Sequence, residues 1–161
     1  RAGLQSGAPE PAFRQSLTMP KVRTAPIYTT PQDAATAFYQ AFEARDLDAM
    51  MATWADDEEI VCVHPGGPRL VGYDAIRNAW EQLFSSDSRL RFRLEQPIAI
   101  DTVGLAVQSA IEHVTLADGS PQGLAVATNV FLRTPTGWRL VCHHASPAPT
   151  IVVPVPAGPL H

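Results

Sequence analysis

Beyond about Phe84 the recurrence of apolar residues changes from the helical period of about 3.6 to the strand period of 2, and this switch limits the chain to few architectures. Helices written first and strands afterwards make an α+β domain, in which helical stripes are buried against one face of a sheet. Three helical segments precede the switch. Thr30-Pro31-Gln32-Asp33 is a helix start, with Thr30 placed to cap free amides, Pro31 at the first helical position and Asp33 placed to return a bond. Ala34, Phe38, Ala41 and Phe42 then form one apolar stripe. Asp46 caps a shorter helix carrying Leu47, Met50, Met51 and Trp54, and Gly72 precedes a third with Ile76, Ala79, Trp80 and Leu83 on one face.

The strands have equally local signals. Ile60-Val61-Cys62-Val63-His64 is a β-branched run ending at the turn Pro65-Gly66-Gly67-Pro68. Leu90, Phe92 and Leu94 alternate with charged residues, as in a strand with one wet face. Leu105 to Leu116 reads as a long strand, Asp118-Gly119 as a hairpin turn, and Leu124 to Arg133 as its return. Thr134-Pro135-Thr136-Gly137 turns the chain into a last strand, Trp138 to Ala145.

The 161 residues make one domain with extensions. Five of the fifteen prolines fall in the first 31 residues and five in the last fifteen, where they remove donors and fix φ. The division is a basic extension 1–29, a domain 30–147 and a proline-rich tail 148–161, whose Ile151-Val152-Val153-Pro154 stretch reads as extended or polyproline-like. The first thirty residues carry a charge of +3 on a body of −7, so the arm suits a soluble leader or one folded back on an acidic surface.

A net charge of −4 argues against a protein that tracks nucleic-acid phosphates. No apolar run approaches the roughly 18 residues that span a bilayer, so no membrane partner is expected. Two cysteines are too few for a disulfide framework and suit a reducing compartment; with no secretory signal visible, the expected location is cytoplasmic. No phosphate loop, nucleophile elbow or zinc-binding helix motif is present.

Three segments carry a resemblance to a known superfamily: Ala44-Arg45-Asp46-Leu47-Asp48-Ala49 with Trp54-Ala55-Asp56-Asp57; Gly72-Tyr73-Asp74-Ala75-Ile76; and Thr128 to Arg133 with Gly137 to Val141 and His143-His144-Ala145-Ser146-Pro147. Over residues 31 to 147 the chain resembles the nuclear transport factor 2-like superfamily, including SnoaL-like cyclases and ketosteroid isomerase. The resemblance implies a cystatin-like cone: a curved antiparallel sheet with three N-terminal helices on its concave face, a ligand pocket between them, and a homodimer paired through the outer sheet face. The last segment also resembles the end of the association domain of calcium/calmodulin-dependent protein kinase II. The superfamily hosts catalytic and non-catalytic members alike.

In ketosteroid isomerase an Asp-Pro pair ends the first strand, and the nearest equivalent here is His64-Pro65. His64 is therefore the candidate general base, an imidazole being suited to that task near pH 7. The isomerase's tyrosine falls on Phe38, with Tyr39 one residue away, so steroid isomerisation is not expected. If the last hairpin closes on Pro135-Thr136, Asn129 lies opposite Cys142, so Asn129, Phe131, Leu140 and Cys142 share a face that His144 joins and His143 does not. A one-residue slip would exchange the two histidines. The resemblance to the association domain puts an Arg where Asn129 stands; a neutral amide argues against a strongly anionic ligand.

The candidate catalytic residues are thus His64, Asn129 and His144, and the candidate ligand-binding residues Tyr39, Trp54, Trp80 and Cys142. Cys62-x-His64 and Cys142-x-His144 repeat one spacing on neighbouring strands, but metal cysteines more often come as C-x-x-C on a turn, so neither metal nor cofactor is expected. Glu112 and Asp101 are further carboxylates that nothing local singles out. The Asp56 to Glu59 run lacks the pattern of a calcium loop. The expected function is binding of a small, largely apolar organic molecule, with isomerase- or cyclase-type proton transfer. The alternative is a non-catalytic association module.

Overall fold

The computed structural model describes residues 25–149. Most of the leader and the polyproline-like stretch of the tail lie outside the described residues. Three helices are present: α1 (Pro31–Ala44), α2 (Leu47–Thr53) and α3 (Tyr73–Ser85). The start of α1 closes as its residues require, with Thr30 Oγ1 accepting from the Asp33 amide and Asp33 Oδ2 accepting from the Thr30 amide, both at 3.0 Å. Arg45 ends it in the left-handed conformation, φ 57°, and Asp46 accepts from the Ala49 amide to start α2.

Six strands form one sheet: β1 (Val61–Val63), β2 (Arg69–Val71), β3 (Leu90–Asp101), β4 (Leu105–Leu116), β5 (Pro121–Thr134) and β6 (Gly137–Pro147), in the order β2-β1-β6-β5-β4-β3. The α+β cone is as expected, with two differences in detail. The residues after the Pro-Gly-Gly-Pro turn form β2, which pairs back on β1; three residues are too short for a periodic signal. The sheet is antiparallel except that β1 lies parallel to β6, because α3 and the β3–β6 meander intervene between them. The helices pack on the sheet's inner face, α1 against β3 and β6 and α2 against β6.

Two irregularities shape the sheet. In β3 the pairing skips from Glu95↔Ile111 to Ile98↔Ser109, because Pro97 has no amide to give and Gln96 sits at φ 49°. In β6 it skips from Leu140↔Phe131 to Cys142↔Val130, so Val141 is the extra residue of a bulge. The largest core side chains are Trp80, Phe38, Phe131, Met50 and Ile60. Phe38 is their hub, meeting Tyr39, Trp54 and Trp80 edge-on with centroids 5.2, 6.5 and 5.7 Å away.

The last hairpin turns on Pro135-Thr136 with Thr134 opposite Gly137, as expected. Residues 26–28 are strapped across its base. The Trp138 amide donates to the Tyr28 carbonyl at 2.8 Å, and the Arg139 guanidinium donates to the Pro26 carbonyl while lying over the Tyr28 ring. Gly137, at φ 101°, leaves room for this strap, since a Cβ there would stand 2.6 Å from the Tyr28 oxygen. Gly137→Ala should therefore destabilise the domain by about 1–3 kcal/mol. The urea midpoint checks this, and an unchanged midpoint would show that the strap is not needed.

Candidate functional site

One cross-strand row of inward-facing residues organises the site: Ala99, Gln108, Asn129, His143, Cys62 and Leu70, each opposite the next on β3, β4, β5, β6, β1 and β2. The bulge at Val141 decides which β6 residue joins it. Before the bulge the register is the one expected, with Arg133 opposite Trp138 and Phe131 opposite Leu140. After it every position is displaced by one, so Asn129 meets His143 rather than Cys142.

This corrects three expectations. His144, expected inside as a donor, faces outward opposite Thr128 and Val63 and is exposed. Cys142, expected to line the pocket, is half-buried between Val130 and Val61 and does not border the cavity. His143, expected outside, is the buried imidazole of the site. A bulge leaves no composition signal, so an unbroken ladder was the default.

A cavity of about 230 Å³ opens between α1, α3, β1 and the inner sheet face, lined by Phe38, Tyr39, Phe42, Phe92 and other apolar side chains around His64, Glu112 and His143. For scale, a cavity of about 150 Å³ holds benzene. His64 looks into it as expected, beside Pro65 and edge-on to Trp80 at 4.5 Å. Trp80 is fully buried behind His64 and Trp54 lies deeper, beside Leu140, so neither of these two candidates borders the cavity. Tyr39 does.

Glu112, Tyr39, Asn129 and His143 form one hydrogen-bonded line. The Tyr39 hydroxyl donates to Glu112 Oε1 at 2.8 Å and accepts from Asn129 Nδ2 at 3.3 Å. Asn129 Oδ1 is thereby left to accept from His143 Nδ1–H at 2.7 Å, which fixes that tautomer and leaves Nε2 as an acceptor. A separate pair stands beyond His143: Cys62 Sγ lies 3.4 Å from His64 Nε2, and the two imidazole centroids are 6.2 Å apart.

Burial shifts every titratable member of this group toward its neutral form. It drives the pKa of His143 down to about 3, with His64 and His144 adding repulsion, and lowers that of His64. It raises Glu112 above the usual carboxylate range against the opposing bond from Tyr39, raises Tyr39, and pushes the Cys62 thiol up to about 12. Glu112 was no more than a general possibility in the sequence; its pairing with Leu94 and Ala125 turns it inward. Among the described residues no group of three or more His, Cys, Asp or Glu side chains is arranged to hold a metal ion.

A curled sheet holding three helices over an apolar pocket defines this molecule as an α+β domain of the cystatin-like, nuclear transport factor 2-like class. The chain belongs to the SnoaL-like domain family, whose model matches residues 32–150. A solved structure of a proposed calcium/calmodulin-dependent protein kinase type II association domain from Thiobacillus denitrificans is 39% identical, covers 77% of this chain and 99% of its own, and superposes with a TM-score of 0.72. A proposed dehydratase of the NTF2-like family from Streptomyces avermitilis is 34% identical over 73% of this chain and 92% of its own, with a TM-score of 0.66. The F-box protein SKIP8 of Arabidopsis thaliana is 27% identical over 116 residues, 69% of this chain, which spans about half of that relative's length (46%). No helix among the described residues is long and apolar enough to cross a membrane.

Because Glu112 titrates higher in the folded than in the unfolded chain, its contribution to stability is complete below the unfolded value and is lost as pH rises through the folded one. Glu112→Gln should therefore gain on wild type from about pH 4.5 upward, by at most about 1.4 kcal/mol per pH unit. Urea unfolding of both proteins from pH 4 to 8 measures this, and a difference that is flat with pH would remove Glu112 as a buried acid. His143 acts oppositely: its contribution is present above about pH 6.5 and is lost as pH falls toward about 3.

Proposed function

We propose that this domain binds a small, neutral organic molecule bearing a carbonyl or hydroxyl group and moves a proton on it. The carrying observation is that aromatic walls enclose two imidazoles and one carboxyl group, each shifted by burial toward its uncharged form. Such a site penalises ions and accepts neutral molecules with a donor or acceptor at one end. His64, which borders the cavity beside Pro65 and is not tied to Asn129 as His143 is, is the base that takes a proton from a carbon beside the carbonyl. Glu112, protonated, is the acid facing the oxygen; an isomerisation returns both protons, whereas in a dehydration Glu112 gives its proton to the leaving hydroxyl, water departs as the carbon–oxygen bond breaks, and the proton taken by His64 passes back to Glu112. Asn129 acts one step back, by holding Tyr39 and His143. Similarity to a proposed dehydratase supports acid–base chemistry of this class.

Titration with 2-naphthol, a neutral two-ring phenol, tests the binding half. Wild type should bind it at least tenfold more tightly than 2-naphthoate, and His64→Ala should weaken it about tenfold, the loss of roughly one hydrogen bond. Equal affinity for phenol and carboxylate, or an unchanged His64→Ala, would take the neutral site or His64 out of the proposal.

A second reading is compatible with the first. Ile100, Val107, Val130, Cys142, Val61 and Val71 form an unbroken apolar row across the outer face of all six strands, with Ile100 57% and Val71 45% exposed. A row of this kind suits pairing with a second copy of the chain, as does similarity to a proposed association domain. Val107→Glu at its centre should convert a dimer to a monomer in sedimentation or light scattering; a monomeric wild type, or a dimer unaffected by the charge, would reject this face.

A further inference from the structure

A second cavity, of about 270 Å³, lies on the other side of Tyr39, between the start of α1 and the bulged part of β3. Its lining differs in kind. Gln32, Gln108, Ser109 and Asn129 bring amide and hydroxyl groups to it, beside Leu94, Pro97, Ile98 and Ala99. Gln108 and His143 flank Asn129 in the inner-face row, so the polar stripe that ends at the two imidazoles begins in this second space. The bulge that opens it is costly: Gln96 sits at φ 49° and its Oε1 is buried without a partner.

The wall between the cavities is thin. Glu112 borders the first and its cross-strand partner Leu94 the second; His143 borders the first and Asn129, bonded to it at 2.7 Å, the second. Among the described residues Tyr39 is the side chain that borders both. Its hydroxyl is held between Glu112 and Asn129, and its ring packs against Phe38 and Phe92, with centroids 5.2 and 5.9 Å away. A rotation of its ring would leave one long space with an acid–base end and an amide-lined end.

We infer that the two cavities are subsites of a single elongated site in which Tyr39 is the gate, the first taking the ring that reacts and the second a neutral tail ending in an amide, hydroxyl or carbonyl. This rests on the neutral first cavity proposed above and adds to it the length and tail chemistry of the ligand. Tyr39 is then a specificity-determining residue: its hydrogen bonds disfavour opening, and only a ligand long enough to gain the Gln108 contacts offsets that.

The test compares 2-naphthol with 6-(4-carbamoylphenyl)-2-naphthol, the same head carrying a benzamide tail, by calorimetric titration. Wild type should bind the long probe at least as tightly as the short one. Ala99→Trp, at an exposed edge-strand position touching only the second cavity, should weaken the long probe at least tenfold and leave 2-naphthol within twofold. Gln108→Leu, of similar size, should do the same through loss of the amide. Tyr39→Phe keeps the ring and its packing but removes the two hydroxyl bonds, and should raise the ratio of long-probe to short-probe affinity at least fivefold. Wild type refusing the long probe, or a ratio unmoved by all three variants, would make the cavities independent and overturn the gate while leaving 2-naphthol binding intact. Failure of 2-naphthol itself to bind would instead overturn the neutral first cavity, and the gate with it.

Discussion

A buried imidazole needs a partner, and the bond from His143 Nδ1–H to Asn129 Oδ1 is the interaction on which the interior depends. It ties β5 to β6 on the face the helices cover. It also sets the direction of the whole line: with Oδ1 committed to His143, the Asn129 amide must donate to Tyr39, whose proton then goes to Glu112. Each group has one role left, and none needs to be charged. The low dielectric that makes such a line costly when incomplete also keeps it in one arrangement when complete.

The cavity exists because the inner face is uneven. Ala110, Ala127 and Ala145 form one cross-strand row of small residues, beside the row that carries Asn129 and His143. Helix α1 meets the sheet through Phe38, which packs against His143 with centroids 5.1 Å apart. The aromatic cluster of Phe38, Phe42, Trp80, Phe84 and Phe92 then spaces the helices from the alanines. Bulky rings on one layer and methyl groups on the other leave a space that the polar line borders.

The two sheet faces divide the two functional readings. The inner row carries Gln108, Asn129 and His143; the outer row, one residue out of step, carries Val107, Val130 and Cys142. The strand period of 2 puts ligand chemistry on one surface and an apolar contact surface on the other. A binding site and an association surface therefore do not compete for residues.

Local signals settled a good deal. The Thr30-Pro31-x-Asp33 start, the switch of period after Phe84 and the Asp118-Gly119 and Pro135-Thr136 turns each involve residues within a few positions of one another, so the sequence by itself determined the three helices and the four-strand meander, while the inward position of His64 was legible only through the resemblance of His64-Pro65 to the isomerase's Asp-Pro pair. The partners of His64 were decided only by the tertiary structure. One extra residue, Val141, turned His143 in and His144 out, and the pairing of β4 with its neighbours selected Glu112 from among fifteen carboxylates between residues 31 and 146. The physical reason is that a helix cap or a turn is closed by nearby backbone, whereas the face a strand residue occupies depends on register against a distant strand, which a single bulge inverts.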